Sequence, residues 1–256
     1  MRQAAFTTLL ALGLSASAAH AAEAATAQAS ISNVVVTLTS LDAGTYPWIV
    51  QNTAAGWPAS AESTGVTADL LDAGRHDGAV GWIGTGRSAA VTSANASASA
   101  SVSFSGTDLS TAGAASSFAS AIGGEVATAT ARLWDSAFMV GGRTRVVVTM
   151  TVGDLSVQGH GGTAMALATL GLWDNGTGAG FVNAEAQAID SPDFSIAYNG
   201  PSTLSVSWDN ASKDLAVAHI ALMTSAQVVS VSPVPEPTTA AMLGLGLAAL
   251  ALRRRR

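Results

Sequence analysis

Residues 94–105 alternate without a break. Ala94, Ala96, Ala98, Ala100, Val102 and Phe104 fall on one face, and Asn95, Ser97, Ser99, Ser101, Ser103 and Ser105 on the other. A period of two belongs to an extended strand with one face buried, and a helix cannot present it. The pattern recurs. Leu204, Val206 and Trp208 share a side, as do Val146, Val148, Met150 and Val152, and, near the start, Val34, Val36 and Leu38. Gly141-Gly142 stands between two such runs and reads as a hairpin turn, because glycine accepts positive φ at no steric cost. Asn175-Gly176 is a second turn signal. About ten strand segments separated by Gly, Asp, Asn and Ser clusters predict an all-β domain, a β-sandwich or jelly roll. Residues 109–122 are rich in Ala and Ser and are expected to form a short helix or a long loop.

Composition narrows the class. Mean hydropathy is +0.37 over 256 residues and only 11% are charged, which excludes a disordered polar chain. Cysteine is absent, so a disulfide framework and thiolate metal sites are excluded. No set of apolar runs of about 20 residues exists, which rules out a multispanning helical membrane protein. Ser and Thr together number 54 against 28 charged residues, so the outward strand faces are hydroxyl-rich rather than ionic. Between residues 22 and 233 there are 16 acidic residues against six basic ones, a net charge of −10. Such a body lacks the clustered Lys and Arg needed to displace counterions from nucleic acid.

Catalytic and metal motifs are sparse. His76, His160 and His219 lie far apart, without zinc-ligand spacing, and no Gly-x-Ser-x-Gly elbow occurs. Asp69, Asp72 and Asp77 form the densest polar cluster, but their spacing is not that of a calcium loop, and an exposed acidic turn is expected. Glu185, Asp190 and Asp193 read the same way. Gly84-Thr85-Gly86-Arg87 does not have the spacing of a phosphate loop. No metal, no cofactor and no catalytic residue is therefore expected. Trp-Asp recurs at Trp134, Trp173 and Trp208. Three repeats cannot close a propeller, so each Trp is expected to end a strand and each Asp to start its turn. Tyr46-Pro47-Trp48 and Trp57-Pro58 place aromatics in loops, where Trp48 and Trp57 are candidate sugar contacts.

The two ends state a destination. Arg2, an apolar stretch over 4–14 and the small-x-small triplet Ala19-His20-Ala21 form a secretory signal, with the cut placed after Ala21. At the other end Val234-Pro235-Glu236-Pro237 precedes an uncharged run over 240–252, then Arg253, Arg254, Arg255 and Arg256. The run is about 20 Å long as a helix, whereas a hydrocarbon core is about 30 Å thick, so a lasting span is not expected. The arginines act as a cytoplasmic stop. The prolines hold Glu236 extended, where a processing enzyme can grip it.

In motif, apolar helix and basic cluster, in that order, this tail resembles the PEP-CTERM sorting signal of Gram-negative bacteria. The resemblance implies recognition by exosortase, a membrane transpeptidase-like protease. It also implies transient inner-membrane association, removal of the tail, and delivery to the cell surface or extracellular matrix in association with exopolysaccharide and biofilm. The expected organisation is a signal peptide over 1–21, a β-sandwich ectodomain over 22–232 and a sorting tail with a short apolar helix over 233–256. The sequence reads as a structural surface protein. A carbohydrate-binding module is the first alternative, and a secreted hydrolase with a scattered site the second. Residues 230–237 read as the tether between body and tail.

Overall fold

A computed structural model describes residues 23–51, 64–81, 86–104, 113–174, 182–232 and 247. Among these are 14 strands in two sheets, and every pairing is antiparallel. The six-stranded sheet has the order β13 (Thr203–Asn210), β9 (Thr144–Gln158), β1 (Ala25–Ser40), β7 (Gly113–Ala121), β6 (Ala96–Phe104) and β5 (Arg87–Thr92). The eight-stranded sheet runs β12 (Ser195–Ile196), β11 (Val182–Asp190), β10 (Thr163–Asp174), β14 (Ala216–Val229), β8 (Val126–Val140), β3 (Thr64–Leu70) and β4 (Arg75–Gly81). The remaining strand, β2 (Ile49–Gln51), pairs with the far end of β8.

The predicted alternations are met within the strands, but Ala94, expected on the buried face, is exposed in the turn that precedes β6, and the Phe104 side chain lies outside the described ones. In β6, Ala96, Ala98, Ala100 and Val102 are buried while the serines face out; in β9, Val146, Val148, Met150 and Val152 are all buried. In β1 the phase changes once. Odd positions are buried up to Ile31, then Val34 is buried, and Asn33 between them has φ +51° at a bulge against β9. The extra residue lets both halves of the strand keep their apolar side inward.

The two sheets share one core whose side chains grade in size. At one end it is lined by Ala27, Ala119, Ala127, Ala129, Ala164 and Ala226. Toward the other it holds Leu133, Phe138, Met150, Leu170, Ile220 and Leu222. A buried leucine or phenylalanine contributes about 1.5–3 kcal/mol, an alanine methyl about 0.8. Most of the cohesion therefore lies at the large-residue end, and the alanine end stabilises through close approach. That approach is direct between β7 and β14. Ser117 Oγ lies 2.8 Å from Thr224 Oγ1 and donates to the Thr224 carbonyl at 3.1 Å, and both residues are buried. One hydroxymethyl group thus spans the gap between the sheets.

Three expectations are corrected. Residues 113–121 form strand β7, neither helix nor loop. Its burial alternates at period two, with Ala115, Ser117, Ala119 and Ala121 inward, but the Ala114-Ala115 and Ser116-Ser117 doublets and the outward Phe118 hid that period in the sequence. Trp134-Asp135 lies within β8, and Trp208-Asp209 is followed by another strand residue, so of the described pairs only Trp173-Asp174 closes a strand. Gly141-Gly142 does turn the chain between β8 and β9, but the positive φ of +54° falls on Arg143. The glycines are needed for close approach instead. A Cβ on Gly141 would lie 2.5 Å from the Trp48 indole nitrogen, and one on Gly142 would strike the Lys213 backbone.

Candidate functional site

Of the residues singled out in the sequence, Ala19, Ala21, Trp57, Val234, Pro235, Glu236, Pro237 and Arg253, Arg254, Arg255 and Arg256 lie outside the described residues. The expected apolar helix does too, apart from Leu247. Among the described residues no helix is long and apolar enough to cross a membrane.

The structure does define the point from which the tail departs. The 230–232 segment is not a free tether at its start. Ser230 is buried; its N–H and Oγ both donate to the Glu125 carbonyl, at 3.0 and 2.9 Å, and its Oγ accepts from the Gly124 N–H at 3.1 Å. Ser232 Oγ donates to the Gly123 carbonyl at 3.0 Å. Gly124, at φ +94°, has no room for a side chain, since a Cβ there would sit 2.5 Å from Ser232 Oγ. Two serines thus hold the end of β14 against the β7–β8 turn. The β9–β10 turn closes the other flank: a Cβ on Gly162 would strike the Val229 carbonyl, and one on Gly161 would lie 3.7 Å from the Val231 side chain.

The start of the chain's described portion lies at the same place. Glu23 Oε2 is 2.7 Å from His160 Nδ1, in the same β9–β10 turn, where His160 has φ +47°. His160 is the loop residue the sequence predicted, and its partner is the residue two positions after the expected signal cut. Asp190 accepts from the Gly159 N–H at 2.6 Å and fixes that turn to β11.

The other polar candidates have structural partners. Asp69 sits opposite His76 in the β3–β4 hairpin, Oδ1 to Nδ1 at 2.6 Å, with the His76 side chain 64% exposed. Asp72 accepts from the Val126 N–H at 2.9 Å. Asp77 accepts from the Ala90 N–H at 2.9 Å, and Arg75 donates to the Thr92 carbonyl. The cluster is therefore an exposed turn that ties β4 to β5 and β8, as expected of it. Among the described residues no group of three or more His, Asp or Glu could hold a metal ion. His219 lies on β14, as predicted, and stacks on Trp173 with ring centres 5.2 Å apart and planes 7° apart.

Tyr46 and Trp48 occupy the opposite pole, beside the β8–β9 turn. Trp48 is 39% exposed and Tyr46 86%. One side of the Trp48 indole covers Gly141, whose N–H donates to the Trp48 carbonyl at 3.0 Å. Trp48 is thus held in a fixed orientation and keeps part of its surface free.

Sequence reasoning missed two features. Asn210, buried at the end of β13, donates through Nδ2 to the Gly141 and Asp214 carbonyls at 3.0 and 2.8 Å and accepts from Ser212, tying the β13–β14 loop to the β8–β9 turn. Phe118 lies on the outer face of the six-stranded sheet between Gln28 and Ser99 in register. A shallow depression of about 350 Å³ there is lined by Phe118, Gln28 and the serines 88, 99, 101 and 116. Its sequence signal was a lone aromatic in the outward phase of a Ser/Ala strand. On the same face Arg145 and Asp209 form a two-pronged pair at 2.7 Å, and this hydrogen bonding holds the Asp209 carboxyl below the usual carboxylate range.

Two antiparallel sheets packed on one core, with the 230–232 segment clamped at one pole, define the class: an all-β two-sheet domain. Residues 233–256 match the family model of the PEP-CTERM protein-sorting motif. The chain carries that motif, which marks a protein sorted toward the cell surface of a Gram-negative bacterium through exosortase. Neither the curated proteins nor the solved structures provide a match.

Proposed function

We propose that the protein is an exported, non-enzymatic structural component of the cell surface or extracellular matrix, associated with exopolysaccharide and delivered by transient membrane attachment. The sorting motif at 233–256 carries this reading. The hydroxyl-rich outer sheet face supports it, because Ser and Thr bind water and glycans without the charge that would recruit other ligands. The test is mass spectrometry of the surface-exposed protein. Loss of residues 1–21 and of Arg253, Arg254, Arg255 and Arg256 is expected; recovery of surface protein with Arg256 intact refutes the processing step.

A carbohydrate-binding role is the second reading, favoured by the aromatic and hydroxyl lining of the Phe118 depression and by the exposed Trp48. Retention on the host's own polysaccharide should fall for Phe118→Ala or Trp48→Ala. Unchanged retention in both variants refutes it.

A further inference from the structure

We propose that the pole formed by the β7–β8 and β9–β10 turns is the surface that docks on exosortase while the tail is processed. This rests on the sorting reading above and names the face that serves it. The argument starts from reach. Among the described residues, Ser232 is the last one ahead of the motif that bonds to the body, at the Gly123 carbonyl. Pro235 is three residues further on, and three residues span at most about 11 Å even when fully extended. An enzyme that closes around Pro235-Glu236-Pro237 is itself tens of ångströms across, so it meets the 122–125 and 159–162 turns as it does so. The opposite pole, with Tyr46 and Trp48, is the length of β8 away, about 45 Å for 15 residues.

Both ends of the body converge on this pole. Glu23 is bonded to His160 there, so the expected signal peptide would depart from the same face as the tail. While both segments remain attached, the body has one orientation relative to the membrane, with this pole toward it. The charge of the pole decides between a lipid and a protein occupant. Glu23, Asp72, Glu125 and Asp190 lie there with Arg75 and His160. An acidic surface is repelled by anionic headgroups and favours a protein partner that presents cationic groups.

The experiment uses the full chain produced with the host's exosortase. A photo-cross-linking amino acid replaces exposed Leu71 or Val231 at the proposed pole, or exposed Tyr46 or Leu215 at the opposite one. Exosortase adducts are expected from the first two positions and not from the second two. A 12-residue Gly-Ser spacer between Ser232 and Pro233 should cut the adduct yield about tenfold by lowering the effective concentration of the pole, while the tail is still removed. Equal adducts from both poles, adducts to lipid alone, a yield unchanged by the spacer, or tail loss without any adduct each overturn the docking surface. Retention of the tail in the unsubstituted chain overturns the sorting reading itself, and the docking surface with it.

Discussion

Replacing Ser117 by alanine should destabilise the protein more than replacing its partner Thr224 by valine, although the two share one hydrogen bond. Ser117 Oγ makes two contacts across the sheets, to Thr224 Oγ1 at 2.8 Å and to the Thr224 carbonyl at 3.1 Å. Ser117→Ala removes both and leaves the buried Thr224 hydroxyl without its Ser117 partner, a loss of about 1–3 kcal/mol. Thr224→Val removes one contact, but the Ser117 hydroxyl keeps the carbonyl, so the loss is that of one net hydrogen bond, about 0.5–1.5 kcal/mol. The double variant has no stranded hydroxyl and should be more stable than the sum of the singles predicts, with a coupling of about 1 kcal/mol. Urea unfolding of the four proteins at constant slope measures this. A parallel heat scan should show roughly 2–4 °C per kcal/mol for a chain of this size. The reasoning is refuted if Ser117→Ala is no costlier than Thr224→Val, or if the two losses simply add.

The gradient in core side chains makes opposite substitutions harmful at opposite ends. Ala129→Leu should cost about 1–3 kcal/mol by overpacking, and Leu133→Ala, four positions along the same strand, about 2–5 kcal/mol by cavity formation, both read by denaturant unfolding. Asn210→Ala should cost about 1–3 kcal/mol and speed amide exchange in the β13–β14 loop, because the buried Gly141 carbonyl loses its Asn210 donor and the Asp214 carbonyl is left with Ser212 Oγ. For Asp209 the carboxyl is held low in the folded state, chiefly by its hydrogen bond from Arg145. Its contribution is therefore complete above the unfolded-state value near pH 4 and is lost as pH falls through the lower folded value. The stability difference between the wild type and Asp209→Asn should shrink on acidification from about pH 5 to pH 3; a difference independent of pH over that range refutes the assignment.

The strands with large inward residues could be read from the sequence because their period is carried by a strong contrast, as in Val148, Met150 and Val152 against Thr149 and Thr151. β7 could not, because its Ala114-Ala115 and Ser116-Ser117 doublets break the alternation that β6 shows, with a serine inward at 117 and an aromatic outward at 118. The bulge at Asn33 and the positive φ at Arg143 and His160 were hidden because they answer to partner strands far along the chain. The sorting motif was legible in full, since it works as linear sequence. The clamp that precedes it was not. Ser230 and Ser232 are ordinary polar residues until the fold brings the 123–125 carbonyls beneath them.

The bonds from β4 to β5 have a consequence for how this border of the sheet meets another chain. β5 is the last strand of its sheet, and an outermost strand exposes a row of peptide groups that can template addition of a foreign strand. Here the Ala90 N–H is taken by Asp77 and the Thr92 carbonyl by Arg75, so side chains plug two of the peptide groups where a neighbour would begin to zip on. At the other border of the companion sheet, β12 is two residues long and offers almost no length for annealing. Strand addition is thus opposed at these two of the four sheet borders, β5 and β12.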